Sequence, residues 1–136
     1  MSGFYCQNYS EEEVAAILKE IQDCVCKGRY TISKNSNREE NLELIREYNL
    51  PSYKQQQILL QIKTEDFCHS LQNKNIGFEH ETLYVFCPQV KLFNIDNKEI
   101  QVDIYIKFNI IECVPGSRVI VVSFHERKRP IDYCFR

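Results

Sequence analysis

Along the chain, apolar residues first recur at helical spacing and then alternate with polar ones, and the change falls just past the midpoint. Ser10 and Glu13 fit a capping box, and behind them Val14, Ile17, Leu18, Ile21 and Val25 share one face until Gly28 stops the run. This predicts an amphipathic helix of about four turns. Residues 30–33 read as a short extended piece and 35–37 as a polar break. A second helix is expected to begin near Asn37, with Glu39 and Glu40 favourable to its N-terminal dipole and Leu42, Ile45 and Tyr48 along one face; Pro51 ends it. Ser52 with Gln55 reads as a second capping box, opening a third helix that holds Ile58, Leu59 and Ile62. Thr64 can cap a fourth, short helix through Phe67 and Leu71, and that helix would carry His69. Residues 72–80 read as a polar loop.

Strands are expected over 83–93, 99–111 and 118–125. Asn94-Ile95-Asp96-Asn97-Lys98 and Val114-Pro115-Gly116-Ser117 link them and are rich in turn formers, so neighbouring strands should run antiparallel. In the middle strand Ile100, Val102, Ile104, Ile106, Phe108 and Ile110 alternate with Gln101, Asp103, Tyr105, Lys107 and Asn109. One face is therefore apolar, and Tyr105 and Lys107 share the other. The last strand delivers His125 and then Glu126-Arg127-Lys128-Arg129. The expected architecture is α+β, with N-terminal helices packed on a twisted, mainly antiparallel sheet: helical over 10–72, sheet over 83–125, and a basic tail over 126–136.

A chain of 136 residues that is 43% hydrophobic can bury one core and is short for two, so 1–136 reads as a single domain. Its formal charge of −2 excludes binding to nucleic acid through overall charge alone. Local asymmetry is present, because Arg118, Arg127, Lys128, Arg129 and Arg136 face only Glu126 and Asp132 over the last stretch. The seven cysteines are odd in number and irregular in spacing, and the first ten residues lack the apolar run of a signal peptide, which points to the reducing cytoplasm. Cys24-Val25-Cys26 has no second pair and Cys68-His69 are adjacent, so no metal or other cofactor is expected. No stretch approaches a membrane-spanning length, and no membrane partner is expected.

Tyr105, Lys107, His125 and Arg127 together supply a phenol, an ammonium, an imidazole and a guanidinium on paired strands. Those are the groups needed to hold and cleave a phosphodiester. The strings ILKEIQDCVCKGRYTIS, ENLELIREYNL, Leu59-Leu60, Thr64-Glu65-Asp66-Phe67, LYVF, DIYIKFNI and VIVVSFHE follow one another over almost the whole chain. In that order they resemble the MqsR family of toxins from type II toxin–antitoxin systems. The resemblance implies a RelE-like fold, metal-independent and sequence-preferring cleavage of mRNA, and neutralisation by a cognate antitoxin protein, for which a helix-turn-helix protein would be the telling form. It also implies four site positions. The family's lysine after the Asp-Phe pair falls on His69, its glutamine in the next strand on Val85, the tyrosine of its Tyr-x-Lys string on Tyr105, and its lysine after the last Ser-Phe on His125. Only the tyrosine is identical, and valine cannot replace the chemistry of glutamine. Two lysines replaced by histidines leave two readings, a lost activity or an acid–base pair rebuilt from imidazoles.

Cleavage by attack of a 2′-hydroxyl needs a base, an acid and cationic donors for the charge that builds on phosphorus. Imidazoles titrate near neutral pH and suit the first two roles. The expected catalytic residues are His125 and His69 for proton transfer, Tyr105 for orienting the 2′-hydroxyl or the phosphate, and Lys107 or Arg127 for charge stabilisation. Arg127, Lys128 and Arg129 are the expected RNA contacts. The competing expectations are a degenerate module that binds an antitoxin or RNA without cutting, and an enzyme that uses Cys68 or Cys87 as nucleophile. His80 and Glu81 form a reserve pair in the loop.

Overall fold

The computed structural model describes residues 5–34, 39–74, 76–113 and 116–136. Their elements run α1 (Glu11–Cys26), β1 (Tyr30–Ile32), α2 (Glu39–Glu47), α3 (Ser52–Leu60), a 3₁₀ turn (Thr64–Asp66), β2 (Phe67–Gln72), β3 (Thr82–Phe86), β4 (Gln89–Phe93), β5 (Glu99–Ile111) and β6 (Arg118–Glu126). The protein is α+β, with three helices on a mixed six-stranded sheet of order β1-β6-β5-β3-β2; β4 pairs with β5 beside that path. β1 runs parallel to β6, and every other pairing is antiparallel.

The capping box at α1 forms as the sequence predicts: the Glu13 amide donates to Ser10 Oγ at 3.1 Å and the Ser10 amide to Glu13 Oε1 at 2.8 Å. At the other end Gly28 takes φ +72°, and the Arg29 amide reaches back to the Cys24 carbonyl at 2.8 Å. That reversal satisfies carbonyls the helix would otherwise leave open. The box predicted at Ser52 does not form. Pro51 is the N-cap of α3, and Gln55 turns inward to donate to the Leu50 carbonyl at 2.7 Å. In α2 the buried positions are Asn41 and Leu44, so the inward face carries an amide where the sequence reading placed Leu42. The break at 35–37 and the start of α2 near Asn37 lie outside the described residues.

The fourth helix is replaced by the 3₁₀ turn and β2, so His69 stands on a strand. Side-chain pairing explains why. Phe67 and Leu71 lie opposite Phe86 and Leu83 of β3, and an extended chain lets both meet the sheet while the backbone completes its ladder. The predicted strand over 83–93 divides at Cys87-Pro88 into β3 and β4 but keeps one register along β5, from Leu83 opposite Asn109 to Phe93 opposite Glu99. Pro88 has no amide to give the ladder, but its carbonyl accepts from the Ile104 amide at 3.0 Å.

A row of fully buried side chains, Phe67, Phe86, Ile106 and Phe124, crosses four strands on the face toward the main core. Phe86 meets Phe67 and Phe108 edge to face, at centroid distances of 5.3 and 5.8 Å. Val14, Leu18, Ile21 and Val25 of α1 belong to the same core. Removing a ring at the middle of this row leaves a cavity that its neighbours cannot close. Phe86→Ala should therefore lower the unfolding free energy by about 3–5 kcal/mol. Urea unfolding followed by circular dichroism measures it, and a loss under about 1 kcal/mol would mean the row is not continuous.

Candidate active site

Both histidines reach the face opposite the main core because each strand that carries one contains an extra residue. In β6, Val119 and Val121 face the core, and strict alternation would send Ser123 and His125 after them. Between Val121, opposite Phe108, and Ser123, opposite Lys107, the strand holds one residue too many, Val122. This bulge reverses the parity. Phe124 now enters the core, while Ser123 and His125 join Lys107 and Tyr105 on the other face. β2 repeats the device: Phe67 pairs with Phe86 and His69 with the adjacent Val85, leaving Cys68 extra. Without it His69 would follow Phe67 inward. Re-aiming a side chain beside a site is a common use of a bulge.

The result is a second row across the sheet, His69, Val85, Lys107 and Ser123, with Tyr105 opposite His125 one step along. A cleft of about 560 Å³ lies over it, walled by Tyr5, by Glu40 of α2 and by the segment from Arg127 to Asp132. The predicted residues His69, Tyr105, Lys107, His125, Arg127, Lys128 and Arg129 all line this one cleft. The Tyr105 and His125 rings stack at 5.2 Å with 14° between their planes, and the Lys107 ammonium sits 5.9 Å from the Tyr105 ring centroid. His125 Nδ1 is 2.9 Å from the Glu126 carbonyl oxygen. A carbonyl only accepts, so the neutral ring holds its proton on Nδ1 and its lone pair on Nε2.

His69 is in a different state. It is 7% exposed, the Tyr5 ring stacks on it at 4.2 Å, and its Nε2 is buried without a hydrogen-bond partner among the described residues. Burial lowers its pKa, the Lys107 charge adds to the effect, and Asp132 opposes it. The expected helical position of His69 is corrected to a buried one on a strand, where burial favours the neutral imidazole. Three strand spacings, roughly 14 Å, separate the Cα atoms of His69 and Ser123, so the two imidazoles stand toward opposite ends of the cleft.

The basic tail is pinned rather than loose. Arg127 pairs with Asp103 at 3.1 Å and donates to the Arg129 carbonyl at 2.9 Å, Lys128 pairs with Glu40, and Arg129 is exposed. Beyond them Ile131 and Tyr133 pack on Cys68, Val85 and Cys87, the Tyr133 hydroxyl donates to the Cys87 carbonyl at 2.7 Å, and Arg136 meets Asp66 at 2.8 Å. Burial raises the pKa of both Cys68 and Cys87, which keeps them as thiols and removes the nucleophile from the cysteine reading. Glu81 accepts from Asn73 and Asn109, each at 3.0 Å, and so holds the β2–β3 loop to β5. Among the described residues no group of three His, Cys, Asp or Glu side chains is arranged to hold a metal ion, and no helix is long and apolar enough to cross a membrane.

Sequence reading missed Asn41. Its Nδ2 donates to the Ser33 carbonyl at 2.8 Å and the Val122 carbonyl at 3.1 Å, and its Oδ1 accepts from the Phe124 amide at 2.8 Å. An asparagine falling on the buried face of α2, three residues before Leu44, was the available signal. No protein-family model matches the chain, and neither a characterised protein nor a solved structure matches it.

The buried state of His69 has a consequence in acid. The unfolded chain binds a proton at this imidazole near pH 6.5 and the folded protein only at lower pH. Its contribution to stability is therefore complete above about pH 6.5 and is lost progressively as the pH falls toward the folded pKa. His69→Gln should flatten this part of the acid-side slope. Urea unfolding of both proteins at about pH 7.5 and about pH 5.5 tests it, and identical differences would show that His69 is not held neutral.

Proposed function

We propose that the chain is a toxin-like endoribonuclease of MqsR type, RelE-like in fold, that cleaves mRNA through the RNA's own 2′-hydroxyl. The observation that carries this reading is the His125–Tyr105 pair. An imidazole with its Nδ1 tied to a carbonyl and its plane stacked on a phenol lies in a cleft that also holds Lys107 and Arg127. Such a ring is oriented before substrate arrives, which is what a proton-transfer group requires.

In this mechanism a phosphodiester lies along the second row. Lys107 and Arg127 face the non-bridging oxygens and stabilise the charge that develops as the 2′-oxygen attacks phosphorus. Tyr105 orients the reacting hydroxyl or the phosphate. His69 lies three strand spacings from the Ser123–His125 end and so would meet a neighbouring nucleotide of the RNA rather than the same phosphate, once the half-exposed Tyr5 swings aside. His125, with its lone pair on Nε2, takes the 2′-hydroxyl proton there, and the imidazolium so formed gives it to the departing 5′-oxygen. The products are a 2′,3′-cyclic phosphate and a 5′-hydroxyl. A partner antitoxin and a cytoplasmic site of action belong to the same reading. The non-cutting alternative draws on the covered Nε2 of His69 and on the two carboxylates that already hold Arg127 and Lys128.

Replacing His125 by Gln keeps much of the size and polarity and removes the imidazole that would carry the proton. Cleavage of a short mRNA should fall by roughly a hundredfold or more while the melting temperature stays within about 2 °C. Cleavage by the parent protein should persist in chelator, and RNA methylated at the 2′-oxygen of the cut site should resist. A folded His125→Gln protein that cuts at the parent rate ends this mechanism.

Arg129 is exposed at the cleft wall, whereas Arg127 and Lys128 each already hold a carboxylate. Arg129→Glu should weaken RNA binding without regard to sequence and reduce the slope of log affinity against log salt by about one. Fluorescence anisotropy at several salt concentrations measures this, and an unchanged slope takes Arg129 out of the interface.

A further inference from the structure

We infer that Asn41 is the positioning residue of the site: its carboxamide holds the β6 bulge that puts His125 on the cleft face. This rests on the reading of His125 as a proton-transfer group, although the structural half can be tested without any activity.

The backbone requires such a residue. β1 ends at Ile32, opposite Val121, and its last contact is the Ser33 amide donating to the Val121 carbonyl at 3.0 Å. Among the described residues no strand pairs with β6 on this side past that point. The bulge makes matters worse, because consecutive carbonyls at Val121 and Val122 both turn to the same edge. Phe124 sends its amide there too, and that amide is buried, where an unmade hydrogen bond is costly. Asn41 supplies what is missing. One amide proton goes to Val122 and the carboxamide oxygen takes the Phe124 amide, so the side chain bonds to both residues flanking Ser123, as a strand residue does in a parallel ladder. Its other proton goes to Ser33, where β1 leaves off. Asn41 is 0% exposed, and its two protons and its oxygen are all used.

No other short side chain makes this set. A carboxylate cannot donate, an aliphatic residue offers nothing, and glutamine is one methylene too long for a site closed on three sides. Phe124 and His125 are adjacent, so whatever fixes the Phe124 amide fixes the face that His125 takes. The preceding residue of α2, Glu40, holds Lys128 of the cleft wall. The first turn of α2 thus grips the chain on both sides of His125, at the β6 bulge and at Lys128 just past the strand, and a displacement of α2 would reach the site through these two residues.

The test compares Asn41→Ala with Leu44→Ala, a core truncation on the same helix that leaves the bulge bonds in place. The nitrogen shifts of His125 report its tautomer, the ring-current shifts report its stacking on Tyr105, and cleavage kinetics are run below the melting transition of each protein. Asn41→Ala should lose the single Nδ1-protonated form and the Tyr105 stacking, and kcat should fall at least about tenfold with KM within about threefold. Leu44→Ala should keep the parent His125 spectrum and kcat. If Asn41→Ala does not fold, Asn41→Asp, which keeps the acceptor for Phe124 and loses both donors, is used in its place and should show the same changes. A folded Asn41 variant with the parent tautomer, stacking and kcat overturns the proposal, as does a Leu44→Ala protein that changes in the same way. If the parent protein proves not to cut RNA, the nuclease reading fails, and the His125 spectra still decide whether Asn41 sets its position.

Discussion

Parity along a strand governs this molecule. Side chains alternate, so a strand that buries Val119 and Val121 cannot also bury Phe124 and expose His125 unless one residue falls out of register. β2 meets the same demand with Phe67 and His69. In each case the extra residue, Val122 or Cys68, lets a phenylalanine complete the core row while the histidine that follows it, one position later in β6 and two in β2, turns the other way. Core packing and site geometry are thereby locked together. Phe67 and Phe124 stand at the two ends of the row whose middle is Phe86 and Ile106, and each anchors the orientation of a histidine through the backbone it shares.

The cost of a bulge is unsatisfied backbone, and the chain meets that cost with side-chain amides at both sites. Asn41 bonds to the β6 bulge from α2. At β2 the Gln7 amide donates to the Cys68 carbonyl at 2.9 Å and to the Asp132 carbonyl at 3.2 Å, which joins the N-terminal segment, the bulge and the C-terminal tail. The same segments supply the cleft walls. Cys6 bridges to Ser70, bringing Tyr5 over His69, and the Cys134 amide donates to the Phe67 carbonyl at 3.0 Å, drawing the tail across the sheet. The segments around Cys6-Gln7 and Asp132–Cys134 are therefore tied over the bulge by hydrogen bonds to its backbone, and they wall the site.

Much of this was legible in the sequence, and the part that was not has a common cause. Alternation over 99–111 correctly gave the shared face of Tyr105 and Lys107, because β5 is regular along that stretch. The α1 capping box and the α+β order were equally plain. The helix assigned through His69 failed because Thr64 to Asp66 does begin as a helical turn, and the deciding term, Phe67 and Leu71 pairing with β3, is non-local. The last strand illustrates the same limit. Its string reads as continuous apolar residues up to Ser123, and no local feature says which valine is the extra one. The bulge is fixed by Asn41, 81 residues away from the carbonyl it holds, and a one-dimensional pattern does not contain that contact. The charges were legible as a cluster but not as pairs, since Asp103 and Glu40 lie far from Arg127 and Lys128 in sequence.

Val85 sets the character of the middle of the cross-sheet row. It lies between His69 and Lys107 in the cross-sheet row, fully buried under Ile131 and Tyr133. A glutamine there would place an amide in the middle of the row and require partners on both sides. Valine makes the middle of the floor apolar and lets the tail seal it. Polar chemistry is then confined to two ends, a covered imidazole beside Tyr5 and an oriented one beside Tyr105. A substrate that engages both must extend across the sheet and displace Tyr5, whereas one that engages only the His125 end meets Tyr105, Lys107 and Arg127 with no rearrangement of the sheet. Which of the two a ligand does is set by whether it can supply the hydrogen bond that His69 Nε2 lacks among the described residues, since that buried nitrogen gains most from a new partner.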